Sequence, residues 1–267
     1  MRTGAKARRH PERFWLRSIR RASHHMRAGL TILVCGAGGV LSAAEELISA
    51  DFTDPTRRYG HAVLGDDVEY GTLELRSGRS DGSDAEEERV IRIVLPRDHV
   101  FEDLTPRLVD IDGDGRLEVM VVETDVARGA QLAIYDAAGA KLAETPHIGQ
   151  SNRWLAPIGA ADLDGDGHVE VAYIDRPHLA KTLRVWRYKD GALQEVADLR
   201  GVTNHRIGQD FITSGIRECG SGPELVTVDA GWDQIISTRL IDDALTSQRI
   251  APFTTQKAFG EVLACQR

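Results

Sequence analysis

One pattern constrains this chain more than any other. Asp110-Ile-Asp112-Gly-Asp114-Gly-Arg-Leu-Glu118 is followed by Asp162-Leu-Asp164-Gly-Asp166-Gly-His-Val-Glu170, an offset of 52 residues. The downstream turn glycines Gly139 and Gly191 keep the same offset. Agreement at two points across a variable stretch marks an internal repeat. Anchoring on the glutamate adds weaker copies at Glu69 and Glu224, so four units span the chain after its first forty-odd residues.

Within a unit the pattern is β. Glu118–Glu123 and Glu170–Asp175 are runs rich in β-branched residues, and 131–135 and 182–188 alternate in part. Ala-Ala-Gly at 137–139 and Lys-Asp-Gly at 189–191 read as hairpin turns. About four short strands per unit, repeated side by side, predict an all-β fold, specifically a β-propeller of four or five four-stranded blades. No amphipathic helix is expected after residue 45. Ser77–Arg89 reads as a solvated loop, and 251–267 as a strand that closes the ring against the first unit.

The nine-residue loops carry the chemistry. Calcium takes several hard oxygen ligands, which one tight acidic loop supplies. The expected ligands are Asp110, Asp112, Asp114, the carbonyl of Arg116 and Glu118. In the second loop they are Asp162, Asp164, Asp166, the carbonyl of His168 and Glu170. Gly115 and Gly167 allow the sharp turn. Without a cation, four carboxylates in nine residues repel one another. An EF-hand begins the same way but needs a bidentate glutamate at position twelve, where this chain has Val121 and Tyr173.

These two loops resemble the FG-GAP/VCBS repeats of integrin-like propellers, over about Phe101–Tyr188 and more weakly over 58–95 and 202–240. The resemblance implies a structural calcium in the loop joining the first two strands of a blade. The third loop departs from it: Ile216, Glu218 and Gly220 stand where the three aspartates would be. The resemblance also implies that the remaining loops gather on the face opposite the calcium sites. That places Arg153, Trp154, Asp175, His178, His205, Arg206 and Trp232 on a ligand-binding rim.

The N-terminal segment reads as an address. Residues 1–44 carry net +8 while the whole chain carries −8, which leaves −16 for residues 45–267. An apolar stretch of small residues, Ala28–Ala44, follows the basic run and precedes Glu45-Glu46. This is the layout of a cleavable signal peptide over 1–44, with Met26 as an alternative start. The competing reading is an uncleaved anchor, for which the apolar run is short and glycine-rich. Residues 45–267 then form the propeller domain, exported to the periplasm or the extracellular space. An acidic body disfavours nucleic acid and anionic membrane surfaces as partners. After removal of the leader two cysteines remain, Cys219 and Cys265. In an oxidising compartment they form one disulfide that ties down the C-terminal tail, or else remain two buried thiols.

Two functions compete. The first is a binding or scaffold module for a protein or glycan, without catalysis. The second is a secreted hydrolase or lyase acting at the propeller funnel, using His61, His178 or His205 with Asp175 or Asp229 as acid/base pairs. No nucleophile elbow, zinc-protease motif or phosphate-binding glycine loop accompanies these histidines.

Overall fold

The computed structural model describes residues 45–79 and 89–266. The leader assigned to residues 1–44 lies outside the described residues. Strand accounts for 53% of the structure and helix for 4%, so the fold is all-β, built of curled sheets. Among the described residues no helix is long and apolar enough to cross a membrane.

Among the described residues, seventeen strands and one helix follow in order. The first unit is the meander β1 (Glu45–Thr56), β2 (Glu69–Arg79) and β3 (Arg89–Val94). The second has a split first strand, β4 (His99–Phe101) and β5 (Arg107–Val109), then β6 (Glu118–Asp125), β7 (Gly129–Tyr135) and β8 (Lys141–Glu144). The third is β9 (Leu155–Ala161), β10 (Glu170–Asp175), β11 (Thr182–Lys189) and β12 (Ala192–Arg200). The fourth again has a split first strand, β13 (Val202–Thr203) and β14 (Gly215–Glu218). It continues with β15 (Pro223–Asp229), β16 (Gln234–Ile241) and β17 (Ala244–Pro252). All pairings within the sheets are antiparallel. The first two units merge into one eight-stranded sheet because β4 pairs with both β2 and β6.

The sheets pack face to face, and the two-residue side-chain period of a strand explains how. In β6, Val119 and Val121 point into a core shared with Leu73 and Leu75 of β2. Met120 and Val122 point the other way, onto Leu155, Val171 and Tyr173 of the third sheet. In β10, Val171 and Tyr173 face that core, whereas Ala172 and Ile174 face Leu225 and Ile236 of the fourth unit. Both strands are therefore buried on both faces, which is why they read as unbroken apolar runs.

Two expectations are corrected. Among the described residues 251–266, Ala251 and Pro252 end β17 and no closing strand follows. Thr255 caps a helix, α1 (Gln256–Leu263), by accepting the amide of Ala258 at 3.1 Å. Phe259 and Val262 then pack on Val226, Val228 and Ile235 of the fourth sheet. The two apolar side chains sit three residues apart, which puts them on one helical face. Within the stretch read as a solvated loop, Ser77 and Gly78 belong to β2, and Ser77 is fully buried. Arg89 opens β3, and 80–88 lie outside the described residues.

Candidate functional site

The four anchor glutamates each stand at or next to the start of the second strand of a unit, and all four are buried: Glu69 at 2% exposure, Glu118 at 7%, Glu170 at 0% and Glu224 at 6%. A buried carboxylate needs a neutralising partner. Around Glu118 and Glu170 the loops form the same cage. Asp110 accepts the amides of Gly113 and Gly115, at 2.8 and 3.0 Å. Asp162 does the same with Gly165 and Gly167, at 2.7 and 3.0 Å. Asp112 and Asp164 accept from Asp114 and Asp166. Arg116 and His168 donate their amides to Asp114 and Asp166, each at 2.8 Å. Glu118 reaches back to Ile111 N at 2.9 Å, and Glu170 to Leu163 N at 2.8 Å. Gly115 and Gly167 sit at φ +85° and +86°, the left-handed region that this turn requires.

Oxygens of Asp110, Asp112 and Glu118 lie within 4.8 Å of one another, and so do those of Asp162, Asp164 and Glu170. Three convergent carboxylates with no nitrogen or sulfur donor form a hard-oxygen set that fits calcium. Asp114 is turned aside, paired through its Oδ2 with the exposed Arg116.

The two loops differ in what balances their charge. In the second, the Arg187 guanidinium reaches Glu170 at 2.6 Å, Asp164 at 2.5 Å, Asp166 at 3.5 Å and Asp243 at 2.9 Å. Among the described residues the first loop has an ion pair with Arg116, at its rim. Burial holds the carboxyls of both Glu118 and Glu170 above the usual range; Asp112, Asp114 and Asp110 add to the rise at Glu118, whereas Arg187 offsets it at Glu170. Glu224 in the fourth unit is paired with Arg217 at 2.6 Å. Glu69 in the first is pushed up to about 9 by burial and by Glu102, Asp66 and Asp103.

The rim residues separate into three groups. Trp154, His178 and His205 come together: the Trp154 and His205 rings lie 5.0 Å apart edge to face, and the two imidazoles 5.1 Å apart. Trp154 is 2% and His205 1% exposed, and Trp154 Nε1 donates to Glu102 O at 2.8 Å, so these two side chains are internal braces. His178 Nε2 lies 3.0 Å from His205 Nδ1, and His205 Nε2 lies 3.0 Å from Gln209 O. Burial and the adjacent imidazole hold the His178 pKa down at about 4. Asp175 commits its oxygens to Arg176 at 2.8 Å and Arg184 at 3.1 Å. Asp229 spends its Oδ1 on the amides of Asp233 and Gln234. His61 instead meets Glu102, at 2.5 Å. Arg206 and Trp232 form the accessible part, with the guanidinium 4.3 Å above the indole. Arg153, half-buried, donates to the neighbouring Asn152 carbonyl. The loops that carry His178 and Arg206 also hold exposed apolar side chains that sequence reasoning did not single out: Leu179, Ile207 and Phe211 at 63%, 71% and 38% exposure.

Sequence reasoning also missed His99, Asp125 and His147, whose ligand atoms lie within 4.8 Å of one another. They are far apart in the chain and share no motif. Only the pairing of His99 with Asp125 across β4 and β6, and the return of the chain after β8, brings them together.

Paired acidic loops at the strand junctions of an all-β fold define a class of β-rich repeat proteins with acidic loops. Residues 110–173, from the first aspartate of one loop to the strand beyond the other, match the family described as an FG-GAP-like repeat. Over that segment the chain is similar to FG-GAP-like repeats. No curated protein and no solved structure matches it. The predicted pairing of Cys219 with Cys265 is present as a disulfide, with the Cα atoms 5.7 Å apart.

Proposed function

We propose that this chain is an exported, calcium-pinned β-propeller that acts as a binding module, with no catalytic role, for a protein or glycan. The observation that carries the reading is the rim: Arg206 stacks on Trp232, Ile207 and Phe211 stand exposed in the loop that carries Arg206, and Leu179 stands exposed in the loop that carries His178. Exposed apolar groups next to a stacked arginine and an aromatic form the composition of an interface centre, and favour a protein partner over a glycan. Stacking of each sheet on the next supports the propeller reading. The disulfide and the leader-like N-terminus support export.

Calcium, when bound, supplies positive charge at the strand junctions. Asp110, Asp112 and Glu118 would hold it in the first loop, and Asp162, Asp164 and Glu170 in the second. The first loop is the stronger candidate, because Arg187 already balances the second. The pinning sites hold the blades and leave the rim to do the binding. The hydrolase or lyase alternative has less support: Asp175 and Asp229 are committed elsewhere, and His178 is held neutral at physiological pH.

The test immobilises the full chain in millimolar calcium and presents the exported-protein fraction of its source and a glycan array. Arg206→Ala, Trp232→Ala and Ile207→Ser should weaken capture in graded steps of about 1–2 kcal/mol each. Capture indifferent to all three would contradict the assignment of the rim. Turnover of a glycoside or phosphoester that His178→Ala abolishes would favour the enzyme instead.

A further inference from the structure

The geometry points to a second kind of metal site, for a divalent transition ion such as zinc, formed by His99, Asp125 and His147. The three ligand atoms fall within 4.8 Å of one another on three different segments of chain. Those segments are tied together by backbone bonds. His99 pairs with Asp125 across β4 and β6. Asp125 pairs with Gly129 across the β6–β7 hairpin. The return segment is fastened to β7 by Ile148 N to Ala130 O at 3.0 Å, and to the hairpin by Gly149 N to Arg128 O at 2.8 Å. A site mounted on strand ends held in this way is largely preorganised.

The outer contacts select the nitrogens that a metal would use. His99 Nδ1 lies 2.9 Å from the Asp98 carboxylate, which directs Nε2 toward Asp125 Oδ2, 3.7 Å away. His147 Nδ1 lies 2.8 Å from Gly129 O, which leaves its Nε2 free. An imidazole that donates one N–H to a carboxylate or a backbone carbonyl presents the other nitrogen to metal, as metal-bound histidines usually do. Gly129 itself cannot be replaced cheaply: a Cβ there would lie 2.3 Å from Gln150 O. The carbonyl that orients His147 is therefore fixed in place.

The donor set decides the class of ion. Two neutral imidazoles and one carboxylate suit zinc and its first-row neighbours, whereas calcium takes oxygen. Three protein ligands leave a fourth position open, as in zinc sites that bind water or substrate. His147 also lines an open groove with Gln131, Glu144 and Trp186. Ligands around a tetrahedral zinc stand roughly 3.3 Å apart, so the three atoms close by about 1.5 Å at most. One cation competes: Arg128 Nε lies 2.6 Å from Asp125 Oδ2. Its side chain is 58% exposed and swings into solvent when an ion takes its place. Asp125 Oδ1 stays on the amides of Ala127 and Arg128, at 2.7 and 3.1 Å, which keeps the carboxylate aimed.

The experiment titrates the full chain with Zn²⁺ by calorimetry in calcium buffer and with Co²⁺ by visible absorption. The expected result is one high-affinity ion and the strong d–d bands of four-coordinate cobalt. His99→Gln and His147→Gln should each lower affinity at least tenfold and bleach the cobalt bands, with far-UV circular dichroism unchanged. His178→Gln, at the other histidine pair, should leave both signals intact. No ion bound to the wild type, or cobalt bands that survive in His99→Gln and His147→Gln, would overturn the site.

Discussion

Four glutamates at equivalent positions meet four different environments. Glu224 is paired with Arg217, Glu170 with Arg187 and Glu69 retains a proton, while Glu118, raised by burial and by Asp112, Asp114 and Asp110, has no such partner among the described residues of its loop beyond the rim Arg116. The position was legible in the sequence, because the glutamate recurs at nearly constant spacing. The partner was not, since Arg187 comes from the next strand of the hairpin and Arg217 from the strand before. For Glu69 the sign follows from linkage. Its folded pKa of about 9 lies above the unfolded value, so its stabilising effect is full below about pH 4.5 and is lost as pH rises toward 9. Glu69→Gln should therefore flatten the fall in stability over that window and gain about 1–3 kcal/mol at pH 8, as read by urea unfolding across a pH series. An unchanged slope would mean that Glu69 ionises freely. The rim residues show the same limit of sequence. Trp154 and Trp232 look alike in the chain, yet one is an internal brace hydrogen-bonded to Glu102 O and the other lies under Arg206.

At the scale of elements, the strands and hairpin turns were legible and the C-terminal helix was not. Gln256–Leu263 is only eight residues long and contains Gly260, so its intrinsic propensity is weak. It forms because Thr255 caps it, Phe259 and Val262 find an apolar surface, and the disulfide fastens its end to the loop before β15. Arg217 adds a hydrogen bond to Val262 O at 2.9 Å, and Leu263 lies close over Gly215. The cross-link closes a sequence separation of 46 residues, which in the chain-entropy treatment stabilises by about 4 kcal/mol. Cys265→Ser should lower the unfolding free energy by about that amount under oxidising conditions. In reducing buffer the variant and the wild type should converge. Equal stability in both buffers would show that packing alone holds α1.

For the whole molecule, the stacking of sheets follows from β6 and β10, each of which gives alternate side chains to a core on either face. The repeat made this all-β stack legible. The merging of the first two units through β4 was hidden, because a three-residue strand bridging β2 and β6 leaves no periodic signal. The acidic loops sit where one strand of a unit turns into the next, so a cation bound there would stabilise the folded chain and not the unfolded one. A thermal melt of the full chain in EDTA and then in millimolar calcium, with Asp112→Ala plus Asp164→Ala as control, tests this directly. The midpoint should rise with calcium in the wild type and stay fixed in the double variant. Equal midpoints in EDTA and calcium for the wild type would contradict it and leave the two loops as polar turns.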